Sequence, residues 1–88
     1  MKKIHLDNGL LLEVDEKFTN DMELFEDLSE VEGGNFSCFP KVVNRILTPE
    51  NKKKVYDHVR VDGHVPVDAM VKIVTEILDK LGPKGKNS

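Results

Sequence analysis

The sequence predicts an α+β domain: an amino-terminal β-hairpin packed against about four short helices. Three observations predict it. Within the first fourteen residues an apolar stretch is broken by Asp7-Asn8-Gly9. After that, apolar residues recur at helical spacing. Cap residues, Gly and Pro then cut the helical part into four pieces. The 88 residues, 39% hydrophobic, suit one small core, which we place in residues 1–82 as a single domain. Residues 83–88 carry no apolar side chain and are expected to form a disordered tail.

The hairpin covers residues 2–14. Ile4 and Leu6 alternate with His5, Asn8-Gly9 suits a turn that needs positive φ, and Leu10 to Val14 supplies the return strand. Two strands are marginal alone, so one face must pack on helices. Residues 15–19 read as a polar link. A first helix is predicted over 21–32, with Asn20 as cap and Glu23 in capping-box position. Leu24, Phe25, Leu28 and Val31 share one sector of it, Glu23, Glu26, Asp27 and Glu30 lie opposite, and Gly33-Gly34 ends it.

A second helix is predicted over 38–47, capped by Ser37, with Phe39, Val42, Val43, Ile46 and Leu47 as its stripe. Thr48-Pro49-Glu50 restarts the chain as a third helix over 49–60: a cap, a proline at the first helical position and an acid in the first turn. That helix is weakly apolar and bears the run Lys52-Lys53-Lys54. Asp62-Gly63 marks a turn. The fourth helix, from about Pro66 to Leu81, has the clearest stripe: Val67, Met70, Val71, Val74, Ile77, Leu78 and Leu81, with Ile73 just off it.

Composition narrows the function classes. No apolar run approaches the ~20 residues of a membrane span. The start is basic but has no apolar stretch or small-residue cleavage site of a leader. The single Cys38 excludes an internal disulfide and a cysteine zinc cage, and points to a reducing cytoplasm. Charge is split: residues 1–32 carry ten acids and three bases (−7), residues 33–88 six acids and ten bases (+4). Such a split favours docking, to a partner or to another copy of the chain.

No catalytic set stands out. His5, His58 and His64 have no metal-binding spacing, Cys38 lies between Phe36 and Phe39 and reads as a small buried residue, and the acids from 15 to 26 fail the calcium-loop pattern. No enzyme activity, cofactor or metal is expected. An alternative is a small helix-turn-helix-like nucleic-acid-binding regulatory protein, with Lys41, Arg45, Lys52, Lys53, Lys54 and Arg60 as phosphate contacts. The acidic first helix opposes it.

Taken together, the hairpin, the acidic helix Asp21-Met22-Glu23-Leu24-Phe25-Glu26-Asp27-Leu28, Gly33-Gly34, the stretch Phe39-Pro40-Lys41-Val42-Val43-Asn44-Arg45-Ile46-Leu47, the segment Asp62-Gly63-His64-Val65-Pro66-Val67-Asp68-Ala69-Met70 and the closing Gly85-Lys86-Asn87-Ser88 resemble the small tail assembly chaperones of long-tailed phages and prophages of Gram-positive bacteria. The resemblance spans nearly the whole chain. It implies a chaperone of the host bacterial cytoplasm, absent from the mature virion. Such a protein binds the tape measure protein and keeps it soluble while major tail protein polymerises around it. It also implies a longer, frameshifted product in many members, through which the major tail protein would be a further partner. Met22 and Ile73, off the main stripes, are the expected exposed contact residues. Glu23, Glu26, Asp27 and Glu30 form an acidic face for the client or for the basic run of a neighbouring copy in a homo-oligomer.

Overall fold

Ile4, Leu6, Leu12 and Val14 are buried and alternate with exposed neighbours, among them the apolar Leu11, so one face of a two-stranded sheet is turned inward. In the computed structural model, which describes residues 1–82, these four residues form the floor of one core. β1 (Lys2–His5) pairs antiparallel with β2 (Leu11–Val14), Ile4 opposite Leu12 and Lys2 opposite Val14. The connection is the turn expected at Asp7-Asn8-Gly9. Gly9 N–H donates to the Leu6 carbonyl at 2.9 Å and Leu6 N–H to the Leu10 carbonyl at 2.8 Å. Gly9 has φ +92°, while Asn8 stays at negative φ. This is a three-residue loop with glycine in the left-handed position, and the Asn8 side chain accepts from Leu10 N–H at 3.0 Å.

The expected polar link is a 3-10 helix, Glu16–Asn20. Asp15 caps it, and it exists to deliver one anchor: Phe18 is buried. Because Asn20 is used up in that turn, Asp21 rather than Asn20 caps α1 (Met22–Glu32), its carboxylate accepting from Glu23 N–H at 2.9 Å. With the cap moved by one residue, Glu23 falls out of capping-box position. A second 3-10 turn, Phe36–Cys38, leads into α2 (Phe39–Ile46). Cys38 therefore occupies the cap position, without a side-chain bond, and the expected Ser37 cap is not formed; its hydroxyl bonds Asn35 instead.

α2 buries Phe39, Val42, Val43 and Ile46, as its stripe predicts. The restart at Thr48 is as read: its hydroxyl accepts from Asn51 N–H at 3.2 Å and opens α3 (Pro49–Val59). Asp62 (φ 49°) and Gly63 (φ 85°) then turn the chain between Val61 and His64, whose backbones exchange both hydrogen bonds. Two successive positive φ values make this a type I′ turn, which Asp-Gly favours. α4 (Val67–Leu81) buries Met70, Ile73, Val74, Ile77 and Leu78. The fold is thus α+β, with the hairpin, Phe18 and all four helices contributing to a single hydrophobic cluster. The tail expected at 83–88 lies outside the described residues.

Among the described residues one polar side chain is buried within this assembly. Asn51, 6% exposed, donates Nδ2–H to the Glu13 carbonyl at 2.8 Å and so ties α3 to β2.

Candidate functional site: the outer face of the first helix

α1 is built from conflicting demands. Leu24 is fully buried, and Leu28 and Val31 are half-buried against the core, which sets the inner face. The next apolar residues cannot follow them inward. Phe25, 100° round the helix from Leu24, is 52% exposed, and Met22 is 65% exposed. Phe25 was expected to share the buried sector; instead Met22, Phe25 and Leu28 form an i, i+3 ridge running from solvent to the edge of the core. Ser29 lies between Met22 and Phe25 in angular position and turns its hydroxyl back on the Phe25 carbonyl at 2.9 Å.

Five acids share these eleven residues: Glu23, Glu26, Asp27, Glu30 and Glu32, with no base. Glu23 and Asp27, and Glu26 and Glu30, stand at i, i+4, where like charges repel. Glu30 and Glu32 add negative charge at the helix end where the dipole is already unfavourable to it. Relief comes from one cation. Arg45 of α2 donates Nε–H to Asp27 at 2.7 Å and reaches Glu23 at 3.6 Å. The hydrogen bond that Asp27 accepts is the main cause holding the Arg45 guanidinium above its ordinary value, with Glu23 adding to it. Among the described residues Glu26, Glu30 and Glu32 make no ion pair; Glu30 accepts only from Asn35 at 3.1 Å.

The structure therefore gathers Met22, Glu23, Glu26 and Glu30 on the exposed side of one helix, with Asp27 half-buried between that helix and α2. It removes Ile73 from the surface. Ile73, expected to be an exposed contact, is 5% exposed and belongs to the core. The reason lies three and seven residues further along the same side of α4. Glu76 accepts from Asp7 N–H at 2.7 Å, Lys80 donates to the His5 carbonyl, and the two side chains pair at 2.9 Å. The hairpin tip is thereby drawn over the flank of α4 that carries Ile73.

Elsewhere the candidates separate. Of the basic side chains proposed as phosphate contacts, Arg45 is turned to α1, and Lys53 and Arg60 both pair with Asp57. Lys52 donates to Asn44 at 2.9 Å and stands 5.5 Å over the Tyr56 ring. Cys38 is half-buried rather than buried, its Sγ 3.6 Å from Asn35 Nδ2, beside the stacked rings of Phe36 and Phe39 (centroids 5.0 Å apart). His58 Nε2 lies 3.2 Å from the Asn8 carbonyl, a brace for the hairpin loop. Among the described residues no group of three or more His, Cys, Asp or Glu side chains is placed to hold a metal ion, and no helix is long and apolar enough to cross a membrane. An open groove of about 710 Å³ runs between the hairpin loop, Val59 and the Val71, Thr75 and Asp79 side of α4. It mixes acids and lysines without a dominant sign.

Compared with protein-family models, with curated proteins and with solved structures, the chain matches none.

Proposed function

We propose that the protein is a non-enzymatic phage tail assembly chaperone, which binds the tape measure protein and keeps it soluble during tail assembly. The observation that carries this reading is the outer face of α1: Met22 and Phe25 stand in solvent on a helix with five acids and no base. A holding chaperone needs apolar surface small enough not to self-aggregate and charge enough to keep the loaded complex in solution. Met22 supplies an adaptable contact, Phe25 a rigid one. Glu23, Glu26 and Glu30 supply attraction and solubility, and Asp27 holds α1 on α2 through Arg45. The resemblance of the sequence to phage and prophage tail chaperones supports the tape measure protein as client and the host bacterial cytoplasm as setting, with the chaperone absent from the mature virion. A longer frameshifted form would bring in the major tail protein.

The nucleic-acid-binding alternative draws less support, since Arg45, Lys53 and Arg60 are already engaged with acids of the same chain. Co-expression with the tape measure protein tests the proposal. The soluble fraction of that protein is expected to rise and the two to co-elute on gel filtration. No rise and no complex would overturn it.

A further inference from the structure

We infer that the outer ridge of α1 is a docking face for a cationic amphipathic helix of another protein. This rests on the reading of α1 as the partner face and adds the chemistry of what it takes. Three features converge. The apolar anchors are arranged at i, i+3, the spacing by which one helix seats on another, and Ser29 between them keeps the ridge low enough for close approach. The acids beside the ridge lack counter-charges: Glu26, Glu30 and Glu32 have no ion pair among the described residues. Finally, Glu30 and Glu32 sit at the negative end of the α1 dipole, so a cation arriving there removes a repulsion as well as forming a new pair.

Eleven residues at about 1.5 Å each give a helix of roughly 16 Å, which matches about three turns of a partner helix laid along it. Its apolar residues would meet Met22 and Phe25, and its flanking lysines or arginines would meet Glu26, Glu30 and Glu32. A second copy of the chain fits this face poorly. Face to face, α1 would set acids against acids. The helix that bears the lysine run, α3, turns its fully buried Val55 to the core and ties Lys53 to Asp57.

The probe is a synthetic peptide of about 18 residues made of leucine and lysine with a 3.6-residue period, against a control of the same composition with the period scrambled. Both are titrated into the isotopically labelled full chain and followed by amide chemical shifts. We expect shifts concentrated at residues 21–36, roughly tenfold weaker binding of the scrambled peptide, and a similar loss for Phe25→Ser. The variant pair Glu26→Gln and Glu32→Gln is expected to flatten the salt dependence between about 0.15 and 0.5 M. Met22→Ser stands in if Phe25→Ser does not fold, which circular dichroism reports. Equal binding of the scrambled peptide, shifts spread over every acid of the chain, or unchanged affinity in both ridge variants would overturn the inference. So would Phe25-dependent self-association in sedimentation without peptide. Ridge-dependent peptide binding without solubilisation of the tape measure protein would leave the docking face standing and remove the proposed client. Solubilisation without ridge-dependent peptide binding would do the reverse.

Discussion

Arg45 Nε lies 2.7 Å from Asp27 Oδ2, and this contact is the electrostatic seam between α1 and α2. Asp27 has a side chain only 15% exposed, whereas Glu23, the second carboxylate on Arg45, is 72% exposed. The two acids therefore contribute unequally. A carboxylate shielded from water loses more when its cation is removed than one that water can solvate. Arg45→Ala is expected to lower the urea midpoint more than Glu23→Ala does, and its effect is expected to shrink at high salt. An Arg45→Ala midpoint equal to that of the parent would show that the seam contributes nothing.

Asn51 and Thr48 hold the start of α3 by different bonds. Asn51→Ala leaves the Glu13 carbonyl without its side-chain donor and is expected to cost about 1–3 kcal/mol. Thr48→Ala removes a helix cap and is expected to cost about 1 kcal/mol. Because the Thr48 hydroxyl accepts from the backbone N–H of residue 51, which Asn51→Ala retains, the two costs are expected to add to within about 0.5 kcal/mol in the double variant. Denaturant unfolding of the three variants reads all of this.

Ile73 and Met22 offer a direct contrast of position. Ile73→Ala is expected to cost about 2–5 kcal/mol, as for a core isoleucine. Met22→Ala should stay within about 0.5 kcal/mol of the parent. Paired thermal or urea melts check this, and a harmless Ile73→Ala would place that side chain outside the core.

Asp57 gives a pH signature. The hydrogen bond from Lys53 is the main cause that lowers its folded-state value, and the bond from Arg60 adds to it. A carboxylate lowered in the folded state stabilises above its unfolded value and loses that contribution as pH falls through the folded one. The parent should therefore exceed Asp57→Asn in stability at pH 7. The difference should close as pH drops below about 4, the ordinary aspartate range. A difference that persists at pH 2 would assign it to something other than ionisation.

Much of this architecture is legible along the chain because it is set by local chemistry. Asp62-Gly63 demands its turn, Thr48-Pro49 opens α3, and the α2 stripe is buried throughout. The departures at the helix starts and in side-chain burial come from tertiary competition. Asn20 and Ser37 are good caps in isolation, yet the burial of Phe18 and the 3-10 turn at Phe36–Cys38 shift each helix start by one residue. Ile73 looked peripheral by angle alone, but the hairpin tip settles on its side of α4. Phe25 looked internal, but Leu24 fixes the rotation of α1 and leaves the ring outside. The exposure of Met22, Glu23, Glu26 and Glu30 is readable from pattern, whereas Asp27 is half-buried against α2. The Arg45 contact to Asp27 joins residues 18 apart in sequence, and no local rule announces it.

The Glu76 and Lys80 clasp joins residues separated by 69 and 75 positions, nearly the full length of the chain. While the protein is being made, this clasp cannot close until α4 has been added. The hairpin tip thus gains its anchor late in synthesis, after the other helices that share the core with it.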